Sequence, residues 1–194
     1  MTTDAEILEQ QRALQREADS AVAELGLDTA LAAFGDAVRT GSSALGLMVR
    51  PDIDITVCCH ALDAAIIGDV IDLGGRLARH DHVRRVLFRD DTGSWNGEPE
   101  QYPDGVYLGL GFRAGATGRE WNADIWFVDE PDRQPDLAHL RTLPSRLTDE
   151  ARVTILRIKH ARSASGATIY EAVLDAGVGS PEEFDAWLAA AGSR

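Results

Sequence analysis

The stretch "PDIDITVCC", residues 51 to 59, alternates acidic and apolar side chains with a period of two, and that period selects a strand. In an extended chain, neighbouring side chains point to opposite faces, so Asp52 and Asp54 share one side while Ile53, Ile55 and Val57 share the other. The apolar side must pack into a core and the acidic side must look into a cleft. Two like charges held close together cost free energy unless something neutralises them, which points to a divalent cation. The same alternation recurs in "EWNADIWFV", residues 120 to 128, with Asn122, Asp124 and Trp126 on one side and Ala123, Ile125 and Phe127 on the other. If the two strands are neighbours, three carboxylates converge.

Around these strands the sequence reads as a mixed α/β architecture. Ile7, Leu8, Leu14, Ala21, Val22 and Leu25 recur at near-helical spacing from residue 4 to about 25, and a second short helix is expected over 28 to 34 with Gly35 as its stop. "DAVRTGSSALG" gives a short strand, a Gly-Ser turn and a helical turn, and Leu62, Ile66, Val70, Leu73 and Leu77 form the stripe of another helix. Strands are expected over 83 to 89, 105 to 114 and 120 to 128, with a long polar loop from 90 to 105. Beyond Pro131 the pattern is helical: about 136 to 162, then "ATIYEAVLDAG", then "SPEEFDAWLAAAG" with Ser180 as N-cap, Pro181 in the first turn and Glu183 completing a capping box. The expected organisation is an α/β unit over 1 to 130 and a helical region over 131 to 194; at 194 residues, three domains do not fit.

Charge narrows the partners. Asp and Glu total 32 against 19 Lys and Arg, a net charge of -13, which opposes broad attraction to nucleic acid or anionic membranes and suits a small or cationic partner. There is no apolar run of the roughly 20 residues that cross a bilayer, and the first twenty residues are polar and acidic where a signal peptide is basic and then apolar, so a cytoplasmic protein is expected. Cys58 and Cys59 are adjacent and read as reduced core residues. The five histidines offer no helical metal-ligand pair. Arg76, Arg79, Arg84, Arg85 and Arg89 read as a solvated run paired with nearby acids, and Trp121 and Trp126 as packing residues.

Three converging carboxylates make the hard, oxygen-rich environment that suits Mg²⁺. Two such ions about 3.5 to 4 Å apart clamp the attacking and departing oxygens of an in-line phosphoryl displacement. Gly41 and Ser42 lie about ten residues ahead of Asp52, in a turn where a glycine lets the backbone approach a ligand and a hydroxyl meets a phosphate oxygen. The alternative phosphatase signature Asp-x-Asp-x-Thr-Val also fits "DIDITV", but that chemistry needs an apolar strand running into the first aspartate, and here Arg50 and Pro51 precede it.

Apolar residue, Gly-Ser, about ten residues, Asp-apolar-Asp-apolar and a later single acid between apolar residues together resemble the nucleotidyltransferase superfamily of the polymerase-β type. The resemblance covers roughly residues 31 to 128 through Gly41, Ser42, Asp52, Ile53, Asp54, Ile55 and Asp124, departing at Thr40 and in "RPDIDI". It implies a nucleotidyltransferase-like mixed sheet flanked by helices, with Asp52 and Asp54 as catalytic ligands for Mg²⁺ and Asp124 completing the second metal site or receiving the acceptor's proton. Gly41, Ser42 and Ser43 would hold the phosphates of a nucleoside triphosphate. In the small antibiotic-modifying branch a helical region supplies a lysine to those phosphates, and "ILRIKHARSASG" is similar in placement; Lys159 is the one lysine beside 18 arginines. The implied activity is transfer of a nucleoside monophosphate to a hydroxyl of a small-molecule acceptor with release of pyrophosphate, and the acidic composition suits a cationic acceptor better than a nucleic acid. The alternatives are a nucleotide-binding or interaction module without turnover, and a toxin-like enzyme that nucleotidylates a protein or RNA.

Overall fold

The computed structural model describes residues 3 to 192. A five-stranded mixed sheet lies at its centre, flanked by helices, in the order β1-β2-β5-β4-β3. The strands are β1 (Gly35–Thr40), β2 (Asp52–Cys59), β3 (Val83–Asp91), β4 (Gly105–Arg113) and β5 (Glu120–Val128). β2 and β5 run parallel and the other three pairings are antiparallel.

Period two gives the three central strands, β2, β5 and β4, a packed face toward the helices. Ile53, Val57, Leu108, Leu110, Ala123, Ile125 and Phe127 are fully buried. They pack with residues of α1 (Asp4–Glu24), α2 (Leu27–Leu31) and α4 (Ala64–Leu77) in one cluster. Each large apolar side chain so buried contributes roughly 1.5 to 3 kcal/mol, and together they outweigh the few kcal/mol of repulsion among carboxylates on the other face.

A second cluster joins α6 (Asp149–Ala161), α7 (Gly166–Leu174) and α8 (Pro181–Ala191) through Ile155, Leu156, Ile158, Ile169, Ala172 and Phe184. Leu45 and Leu47, from the segment after β1, and Ile7 of α1 belong to it, so α1 serves both clusters. The helices start where side chains satisfy free backbone N–H groups. Thr3 and Glu6 form a capping box on α1, and Asp63 accepts from Ala65 and Ile66 at 3.0 Å on α4.

Three expectations need correction. The helix expected over 136 to 162 is two helices, α5 (Pro135–Thr142) and α6, separated by a 3-10 turn at Pro144–Arg146. Pro144 has no N–H to continue the ladder, Leu147 leaves helical geometry with φ -80 and ψ 78, and Thr148 then starts α6 by capping Ala151 N–H at 3.2 Å. Gly35 opens β1 instead of stopping a helix that already ended at Leu31. At α8, Ser180 caps Glu183 N–H at 3.1 Å, but Glu183 reaches back to Gly179 N–H at 2.8 Å and not to Ser180. Among the described residues, no helix is long and apolar enough to cross a membrane.

Candidate active site

β2 and β5 lie side by side in a register that pairs Asp54 with Asp124 and Asp52 with Asn122. Residues paired across adjacent strands point to the same face, so the three carboxylates converge. Asp52, Asp54 and Asp124 each offer an oxygen lying within 4.8 Å of the others. Burial and then the Asp52 charge push the Asp54 carboxyl up to about 7, with Asp136 and Asp124 adding and Lys159 opposing. Asp52 is raised by burial and by Asp124, against Arg50 and Lys159. Its Oδ1 is buried and accepts no hydrogen bond from the protein.

The turn after β1 is built around this cluster. Thr40 pairs with Asp54, and the next residue, Gly41, has φ +58 as it enters the five-residue α3 (Gly41–Leu45). A side chain at 41 would place its Cβ 2.1 Å from Asp54 Oδ2, so it is the absence of one that leaves the carboxylate its place. Ser42 Oγ accepts from Lys159 Nζ at 2.5 Å, and the same ammonium donates to the Leu47 carbonyl at 3.0 Å. Ser43 is buried and its hydroxyl donates to the Thr40 carbonyl at 3.2 Å, closing the turn. Lys159 reaches this point because α6 ends beside α3. Burial brings its ammonium down to about 8 although the Asp54 charge opposes the shift. Its hydrogen bonds go to neutral oxygens, and the Tyr170 ring lies 5.8 Å away.

Several site residues escaped the sequence reading. Tyr107 on β4 donates its hydroxyl to Asp124 Oδ1 at 2.6 Å, and burial followed by that bond holds the phenol above its ordinary range. Arg89, assigned above to a solvated run, lies 5.0 Å over the Tyr107 ring and 5.3 Å over Trp126, and its Nε donates to both Asp91 oxygens at 2.9 Å. Arg85, from the same run, donates to Asn122 at 2.9 Å, whereas Arg84 pairs with Glu120 at 3.5 Å as expected of a surface arginine. Asp136, in the first turn of α5, is raised by burial and adds its charge to Asp54. The glycines at 105, 109 and 111 were the available signal for Tyr107, because glycine weakens a strand and marks close approach.

Two cavities open near this face, the smaller reaching the cluster at Asp52 and the larger bounded by Trp126 of β5 and by Asp136. One, of about 160 Å³, is lined by Ser42, Arg50, Asp52, Lys159 and Arg162. The other, of about 580 Å³, has Arg89, Asp91, Glu98, Trp126, Gln134 and Asp136 in its wall. Trp126 therefore borders a cavity, while Trp121 is 1 % exposed in the core and donates to Glu17 at 3.0 Å. His82, the histidine nearest an acid, contacts Glu24 at 3.1 Å, away from this face. Among the described residues, the three aspartates form the one cluster of metal-ligand type.

No protein-family model matches the chain. No curated protein matches it. Among solved structures it is similar to a cytoplasmic RNA terminal U-transferase, at 17% identity and a TM-score of 0.38. The likeness covers 81% of this chain and 40% of that one, so this chain spans less than half the length of its neighbour.

Proposed function

We propose that this protein is a divalent-metal-dependent nucleotidyltransferase that moves a nucleoside monophosphate from a nucleoside triphosphate to a hydroxyl of a small acceptor. The observation that carries this reading is the register of β2 on β5, which brings three carboxylates together beside a turn whose glycine leaves room for Asp54. The donor set fits Mg²⁺: the oxygens are hard, and Asp52 Oδ1 is buried with no partner in the protein. When bound, Mg²⁺ would neutralise the carboxylates and offset the charge that develops on the transferred phosphoryl group.

The smaller cavity supplies the cations that a triphosphate needs. Lys159 keeps a compact ammonium bonded only to neutral oxygens, so an arriving phosphate gains a donor without breaking an ion pair. Ser42 and Arg50 stand beside it. In an in-line displacement the attacking oxygen enters opposite the leaving group. With pyrophosphate seated toward Lys159, the acceptor enters from the larger cavity. Its hydroxyl oxygen bonds to the α-phosphorus as the bond from that phosphorus to the bridging oxygen breaks; pyrophosphate leaves, and the hydroxyl proton passes to a carboxylate of the site. Asp91, Glu98 and Asp136 outnumber Arg89 in the larger cavity wall, which favours a cationic small molecule over a polyanion.

The test uses α-labelled nucleoside triphosphates, Mg²⁺ and a cell extract separated into small molecules and macromolecules. Label and pyrophosphate should appear with the small-molecule fraction, and Asp54→Asn should abolish both. Label on protein or RNA alone would overturn the acceptor class, and nucleotide binding without pyrophosphate release would overturn turnover.

A further inference from the structure

We infer that Tyr107 is a positioning residue that makes one Asp124 oxygen the better placed ligand for a cation and so sets the site's preference for Mg²⁺ over Ca²⁺. This inference rests on the metal-binding reading above. Tyr107 pairs with Trp126 across β4 and β5, and Gly109 pairs with Asp124. To reach Asp124, the phenol has to lie along the strand over Gly109. A Cβ at 109 would meet the Tyr107 hydroxyl at 2.5 Å and its ring at 2.9 Å, so the missing side chain is what admits this path. Arg89, held by Asp91, stacks at 5.0 Å on the ring and fixes it there. The result is a 2.6 Å hydrogen bond that takes one of the two acceptor positions of Asp124 Oδ1 and makes Oδ2, which the phenol does not touch, the better placed ligand atom.

The chemical consequence follows from how the two ions use carboxylates. Ca²⁺ takes six to eight oxygens and often both oxygens of one carboxylate, whereas Mg²⁺ demands an octahedron and is content with one oxygen per carboxylate and several waters. A carboxylate with one oxygen already bonded, and its plane fixed, is adequate for Mg²⁺ and poor for Ca²⁺. Hydroxyl partners of this kind also orient the ligands they touch, and their loss typically weakens metal binding by about 10- to 100-fold.

The experiment is Mn²⁺ binding to the purified protein without nucleotide, read from the free-ion signal in electron paramagnetic resonance, with Mg²⁺ and Ca²⁺ as competitors. In Tyr107→Phe, Mg²⁺ should compete about tenfold less well while Ca²⁺ competes equally or better. Gly109→Ala keeps the tyrosine but pushes its hydroxyl off Asp124, and it should give the same shift; it decides the matter if Tyr107→Phe does not fold by circular dichroism. An unchanged Mg²⁺-to-Ca²⁺ ratio in the folded variants, or equal weakening for both ions, would overturn the inference. Wild-type protein that binds no Mn²⁺ would instead overturn the metal-binding reading itself.

Discussion

Replacing Gly41 by alanine adds one methyl group to a turn that faces Asp54. Two costs follow, and the structure separates them. The first is backbone strain: φ is +58, in the left-handed region, where a side chain costs an L-residue about 1 to 2 kcal/mol. The second is steric, because the new Cβ would lie 2.1 Å from Asp54 Oδ2, 2.7 Å from its Cγ and 3.1 Å from its Cβ. Relief requires the carboxylate to move by about 1 Å, a misplacement that costs on the order of 100-fold in a reacting geometry. Gly26 supplies the control, since its φ is +61 and a Cβ there meets nothing within 4 Å. Each variant should lower the melting temperature by roughly 2 to 8 °C, from about 1 to 2 kcal/mol in a chain of this size. Only Gly41→Ala should also lose Mn²⁺ affinity and label transfer, by about two orders of magnitude for transfer. Thermal unfolding, Mn²⁺ titration and label transfer on both variants make the comparison. If the two behave alike in all three, the turn is not built around Asp54 and the reasoning fails.

Asp54→Asn should abolish cation binding yet stabilise the metal-free protein, because it removes a carboxylate held among like charges; an unchanged or lowered melting temperature in chelator at pH 8 would count against that. The same difference should depend on pH. The folded-state pKa of Asp54 is raised from 3.8 to about 7, so the folded protein keeps a proton that the unfolded chain releases. Its stabilising effect is complete below about pH 4 and is lost as pH rises through about 7, up to an order of 4 kcal/mol. Wild type and Asp54→Asn should therefore unfold alike in chelator at pH 4 and diverge by pH 8, with Mg²⁺ closing the gap for wild type; parallel curves across this range would refute it. Lys159→Arg keeps the charge but not the compact donor that reaches Ser42 at 2.5 Å, so thermal stabilisation by a nucleoside triphosphate with Mg²⁺ should fall tenfold in apparent affinity. Full retention would show that charge alone suffices.

The acidic face was legible because its signal is local. Alternation in β2 and β5 fixes which side chains share a side, whatever the rest of the chain does, and both strands are buried as that alternation requires. Gly41 was legible for the same reason, as part of a short segment joined to β2. Tyr107, Arg89 and Asp136 were not. Each reaches the site from another element, and nothing in the sequence states that β4 lies beside β5, that β3 lies beyond it, or that α5 starts near Asp54. The glycines of "GVYLGLG" carried a hint, since side chains at 105, 109 and 111 would obstruct Trp126, Tyr107 and Arg85. The helix over 136 to 162 failed on a known breaker: its apolar spacing continues through Pro144, but the backbone there does not.

The central claim is that Asp52, Asp54 and Asp124 hold a divalent cation. Crystals soaked in Mn²⁺, measured at the manganese absorption edge, test it most directly. An anomalous peak bounded by the three carboxylates, and absent in Asp54→Asn, is the predicted result. A well-ordered crystal with no peak there, or with manganese bound only elsewhere, would contradict it.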